Sequence, residues 1–141
     1  YFIADNQPYA AYDFARERAG DFAVGAAPAN ESRNNTGRTF LPPAQGAWIW
    51  YPYSESNLFP LLGDGGRSAM AGPVYYREEG QTTGFPEYYS GRLFMHEWMR
   101  NKVYAVDIDQ YGWYGHMEEV LPGEKFSRPM DLRFGPDGDL Y

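Results

Sequence analysis

The sequence has no cysteine, so neither a disulfide nor a thiolate metal site can form within its 141 residues. That leaves the redox compartment open. Histidine is nearly absent: His96 and His116 are the only two, with no second His at ligand spacing, which argues against a zinc site. No apolar run reaches the roughly 18 residues that a membrane-spanning helix needs. Positive charge is scarce as well, with 12 Lys and Arg against 19 Asp and Glu and a net charge of -7. Nucleic-acid binding rewards basic surfaces through counterion release, so this balance disfavours a nucleic-acid partner. No targeting segment is visible.

Aromatic side chains are abundant. They make up 18% of the chain, with 13 Tyr and 4 Trp, while the mean hydropathy of -0.62 shows that the remainder is polar. Tyr and Trp bury a ring and keep one polar atom available, a mixture that suits sheet faces and also stacking on sugar rings.

The richest stretch is 91–141. The runs Gly91 to Arg100, Lys102 to Asp109, Trp113 to Val120 and Pro129 to Tyr141 are each of strand length and bounded by Gly, Asp, Asn or Pro. They read as four antiparallel strands in series. Gly91-Arg92-Leu93-Phe94 and Gly138-Asp139-Leu140-Tyr141 share a Gly-polar-Leu-aromatic pattern and start 47 residues apart. That matches the roughly 40 to 50 residues of one propeller blade. The expected fold is therefore all-β, two to three blades of a β-propeller built from four-stranded antiparallel sheets, with a β-sandwich as the alternative. Tyr1 is not an initiator Met and Tyr141 falls inside a strand-like run, so the chain reads as an internal fragment of one propeller domain.

Upstream the pattern is irregular, and 1–45 is expected to be a long loop or insert. Tyr1 to Tyr9 starts like a strand and breaks at Pro8; Asp13 to Gly20 could form a short helix capped by Asp13; Ala26 to Pro43 reads as loop. Asn30-Glu31-Ser32 and Asn34-Asn35-Thr36 fit an N-glycosylation pattern short enough to arise by chance. Blades would occupy 46–141. Ala47 to Tyr51 is expected as a buried strand ended by Pro52, Asn57 to Arg67 as a Gly-rich turn, and Ser68 to Tyr76 as a strand with a bulge at Gly72-Pro73. The glycine run is no phosphate loop, lacking a Lys-Ser/Thr and a following helix.

The segments Phe85-Pro86-Glu87-Tyr88-Tyr89-Ser90-Gly91-Arg92-Leu93-Phe94 and Phe134 to Tyr141, with Arg128 and Asp131 between them, resemble the glucose/sorbosone dehydrogenase family, soluble quinoprotein sugar dehydrogenases on a six-bladed propeller. Asn34 to Gly37, Leu41 to Ala44 and Trp50 to Tyr53 resemble its large secreted bacterial branch. The resemblance implies an oxidoreductase that transfers a hydride from a sugar or polyol hydroxyl to pyrroloquinoline quinone. It also implies a calcium ion, a secreted or periplasmic location, and a fused or partner cytochrome c as electron acceptor. The substrate would be a sugar or a polysaccharide-derived one. The catalytic His and most calcium ligands would precede Tyr1. Arg128 matches a cofactor-binding Arg, while Met130 and Met99 stand where further cations are expected, with Arg100 or Lys102 as substitutes.

The candidate cofactor contacts are thus Arg128, Arg67 and Arg100, with Trp98 at the rim for substrate. His96 and Glu97 alternate along a strand and cannot act as one acid/base pair; His96 is expected to pack beside Met or Tyr, and His116 to lie far from the site. Asp107 and Asp109 share one strand face and could hold a cation. A propeller that binds carbohydrate or protein without redox chemistry is the competing reading, favoured by Met99 and Met130.

Overall fold

The structure is a computed structural model that describes residues 8–24, 28–44 and 46–141. Among them there is no α-helix: the chain is all-β, with one two-stranded and one four-stranded antiparallel sheet, neither closed into a barrel. It divides into two compact units, Tyr1–Trp50 and Tyr51–Tyr141.

In the first unit β1 (Pro8–Asp13) and β2 (Arg18–Val24) form a hairpin where loop and helix were expected. Asp13 does cap, but it caps a turn. Its Oδ1 accepts from the backbone N–H of Ala15 and Arg16 at 3.0 and 3.1 Å, and its Oδ2 pairs with Arg16. An Asx cap serves a turn as readily as a helix, and two strands that can pair decide between them. Pro8 opens β1 rather than breaking it, at the strand position where a missing N–H does least harm. The Tyr1–Gln7 part of that reading lies outside the described residues. The 28–44 stretch contains a single bridge, Ala29 to Phe40, and the side chain of Asn35 holds its turn through the carbonyls of Asn30 and Arg38. Trp48 and Trp50 are exposed and no strand forms there, because β-propensity in aromatic runs needs a paired neighbour to be realised.

The second unit is a four-stranded meander, β3 (Ala69–Val74), β4 (Leu93–Glu97), β5 (Lys102–Ile108) and β6 (Tyr114–Glu119), in sequence order. Three of the four strands expected in 91–141 are present. The fourth member comes instead from the Ser68 stretch. Residues 129–141 fold back on themselves through Pro136-Asp137-Gly138, with only a Phe134 to Leu140 bridge and paired Arg133 and Tyr141 backbones. The bulge expected at Gly72-Pro73 is where the β3–β4 register shifts, between Ala71 and Val74.

Alternation splits the sheet into two faces. On one, Phe94, Val103, Ala105 and Val120 pack with Tyr75 and Leu132 under Phe85, Tyr89, Phe126, Phe134 and Leu140. Phe134 lies 4.6 Å from Tyr75 and 5.0 Å edge-on from Phe94. The two motif segments, 85–94 and 134–141, are locked together: Phe85 N–H donates to Gly138 O at 3.1 Å and Thr83 Oγ1 to Asp137 O at 2.8 Å. Gly84 has φ +82, and a Cβ there would sit 2.6 Å from the Gly138 carbonyl, so only glycine admits this approach. The other face, carrying Met95, Glu97, Tyr104 and Val106, is covered by the 51–66 segment through Tyr51, Phe59 and Leu62.

Candidate functional site

The four sequence-predicted residues gather at one end of the four-stranded sheet, where β3 begins, β4 ends and β5 begins. Trp98 N–H donates to Ser68 O at 3.1 Å, which sets Arg67 next to that pair. Trp98, Met99, Arg100 and Asn101 form the turn between the Glu97–Lys102 partners. Arg128 joins them because its backbone N–H donates to Asn101 Oδ1 at 2.9 Å, while Asn101 O accepts from Phe126 N–H. Arg128 takes the left-handed conformation (φ +51), uncommon outside glycine, and its guanidinium lies 5.0 Å over the Trp98 ring. Among the described residues no carboxylate pairs with it. Asn101 also has positive φ (+58), a conformation its short amide tolerates.

Arg100 departs from expectation. Its Nε donates to Gly66 O, Nη1 to the carbonyls of Leu62 and Gly63, and Nη2 to those of Pro52 and Gly65, at 2.8 to 3.2 Å. A guanidinium has five N–H donors, and all five are committed to backbone. Arg100 therefore moulds the Gly-rich segment and has no donor left for a ligand carboxylate, which corrects its assignment as a cofactor contact. Met99 is half-exposed and lies against Gly66. Arg67 turns the same way, donating one Nη1–H to Tyr51 O with its Cζ 4.3 Å over the Tyr53 ring; the rest of its fork makes no hydrogen bond to the described residues.

Glu97 was not singled out as functional, yet it is the most enclosed charge in the unit, at 0% exposure. Its Oε2 accepts from the Tyr51 hydroxyl in a short contact, and its Oε1 from the N–H groups of Ser68 and Met99. Nothing in the local sequence gives that away, because Tyr51 is 46 residues distant. Burial raises the Tyr51 phenol well above its usual range, and the Glu97 carboxylate beside it adds to the rise. Burial does the same to Tyr104, whose hydroxyl donates to Leu61 O at 3.2 Å. Below pH 10, near the ordinary tyrosine value, both phenols are protonated in the folded and unfolded chain, and their contribution is complete. Above it the unfolded chain ionises first. Stability should then fall by up to about 1.4 kcal/mol per pH unit for each phenol. Urea unfolding from pH 8 to 12 should show this loss setting in above pH 10, with a shallower slope in Tyr51→Phe; an unchanged slope in that variant would remove Tyr51 from the effect.

His96 lies between Met70 and Val103 in the register, 1% exposed, with neither ring nitrogen hydrogen-bonded to any described residue. His116 sits at the opposite end of the sheet, its Nδ1 3.2 Å from Asp107 Oδ2. Asp107 and Asp109 do not share a cation site. β5 ends at Ile108, Asp107 faces Arg92 and His116, and Asp109 caps the following turn by accepting from Tyr111 and Trp113 N–H. Among the described residues no group of three potential metal ligands occurs.

A tricarboxylate quinone would need several free cations converging on one space. Arg100 is fully engaged, which leaves Arg67 and Arg128 of the three expected cations, so the described residues do not by themselves assemble such a cradle. No match emerged when the chain was compared with protein-family models, with curated proteins and with solved structures.

Proposed function

We propose that the Trp98–Arg128 rim is a saccharide-binding surface on a propeller-type scaffold, with β3 to β6 as one four-stranded blade. The observation that carries this reading is the Arg128 guanidinium poised over the half-buried Trp98 ring, held in a left-handed backbone by Asn101. A strained residue presenting an unpaired cation beside an aromatic face is what a ligand platform requires: the ring stacks on a sugar, and the fork donates to its oxygens.

Arg128→Gly separates binding from folding. Relief of about 1 kcal/mol of left-handed strain offsets the loss of an exposed cation–π contact of similar size. The variant should therefore keep its urea midpoint while its affinity on a glycan panel drops at least tenfold. Unchanged glycan affinity would end the proposal, as would an absence of glycan binding by the parent chain.

A second reading, hydride transfer from a sugar or polyol to a quinone, rests on the resemblance of 85–94 and 134–141 to glucose/sorbosone dehydrogenases. It is supported by the free donors of Arg67 and Arg128, which could each take one cofactor carboxylate. Dye reduction by aldoses after reconstitution with calcium and the quinone is its test, and quinone-independent glycan binding would favour the first reading.

A further inference from the structure

We infer that the ligand is an acidic saccharide chain whose carboxylates are taken by Arg67 and Arg128. This rests on the saccharide reading above and narrows it. The six arginines of 51–141 divide sharply. Arg77 donates to the carbonyls of Gln81, Thr83 and Phe85. Arg92 pairs with Glu118 and Asp107, and Arg133 with Asp131. Arg100 is consumed by five carbonyls. Only Arg67 and Arg128 have neither a carboxylate partner nor more than one backbone carbonyl to hold them among the described residues.

In a chain with seven excess negative charges, a surface cation has ample opportunity to pair. That the two exceptions sit at the same end of one sheet, each over an aromatic ring, is the selective feature. Arg67 lies over Tyr53, 64% exposed, and Arg128 over Trp98. Lys125, exposed in the loop that leads to Arg128, adds a further cation without a described partner.

Arg has donors and no acceptor, and its planar fork matches a carboxylate in two parallel hydrogen bonds. A neutral sugar would leave that fork half used. The two arginines adjoin the Ser68–Trp98 pair, and each has its own aromatic partner, Tyr53 for Arg67 and Trp98 for Arg128. With a separate ring beside each cation, the ligand that engages both is an oligosaccharide carrying an acidic group on more than one residue. Tyr53 and Trp98 supply the stacking surfaces between these anchors.

The experiment is calorimetric titration of the full chain with oligogalacturonate and with the same oligomer after carboxyl reduction. The acidic oligomer should bind at least tenfold tighter, and its affinity should fall as salt rises from 50 to 500 mM, since the anchors are exposed charges. Arg67→Gln and Arg128→Gly should each weaken it more than they weaken the reduced oligomer, so that the preference for the acidic oligomer shrinks at least threefold in each variant. Should Arg67→Gln fail to fold, the salt series on the parent chain and Arg128→Gly still decide the matter. Equal affinity for the two oligomers would overturn the acidic preference and leave the saccharide reading in place; no binding of either, or equal binding of single-stranded DNA, would overturn both.

Discussion

Arg100→Lys should lower the unfolding free energy of the chain by about 3 kcal/mol, and Arg100→Ala by about 4. The reasoning is a count of donors against acceptors. Five carbonyls, from Pro52, Leu62, Gly63, Gly65 and Gly66, converge on one guanidinium. Lysine offers three donors from a single point and cannot reach acceptors spread around a planar fork, so at least two of the five lose their partner. Its charge is retained, so a large loss in the lysine variant isolates geometry from electrostatics. The guanidinium also lies 4.7 Å over the Tyr51 ring, a contact that an ammonium makes less well. Urea unfolding of both variants is the measurement, and a loss below about 1 kcal/mol in Arg100→Ala would mean that the five bonds do not hold the segment.

Glu97→Gln should be nearly as damaging, at about 3 kcal/mol, although it changes neither shape nor volume. The buried carboxylate accepts from three donors: the Tyr51 hydroxyl and the N–H groups of Ser68 and Met99. An amide offers one oxygen to these three and turns its NH2 toward at least one of them. With its oxygen kept on the two N–H groups, the amide turns its NH2 to the Tyr51 oxygen, and the phenol proton loses its acceptor in a space closed to water. Tyr51→Phe removes one donor, so in a double-mutant cycle the two changes should be non-additive by at least 1 kcal/mol. A parental urea midpoint for Glu97→Gln, or strict additivity with Tyr51→Phe, would show that these donors do not converge on Glu97.

The all-β class, β4, β5, β6 and the bulge at Gly72-Pro73 were legible because each rests on a local signal: alternation, β-branched and aromatic content, or a turn residue. The strand order was less so. Residues 129–141 look as strand-like as the Ser68 stretch, and only tertiary packing sends the first into a fold-back turn under Phe94 and the second into the sheet. The Asp13 turn failed for a related reason, since one Asx cap initiates either structure. At the sheet end, the sequence suggested Arg67, Trp98, Arg100 and Arg128 together, and the structure sets all four near the turn that joins β4 and β5. It could not reveal which cations were already engaged, because the carbonyls around Arg100 lie 34 to 48 residues away. Nor could it mark Glu97, whose partners differ in kind and position. The residues behind the family resemblance, Phe85, Phe94 and Phe134, sit in the aromatic core, so they speak for architecture more than for chemistry.

The way Arg100 holds its segment has a kinetic corollary. The hairpin of β4 and β5 closes over a four-residue turn, a microsecond event, and only a closed hairpin points Arg100 at the carbonyls it must gather. The 52–66 region should therefore dock late, so that lesions in it accelerate unfolding while leaving the refolding rate almost untouched. A chevron plot of Arg100→Lys should accordingly shift in its unfolding arm, as expected where the lifetime of the native state depends on a clasp that fastens last; a shift in the refolding arm would show that the clasp forms early.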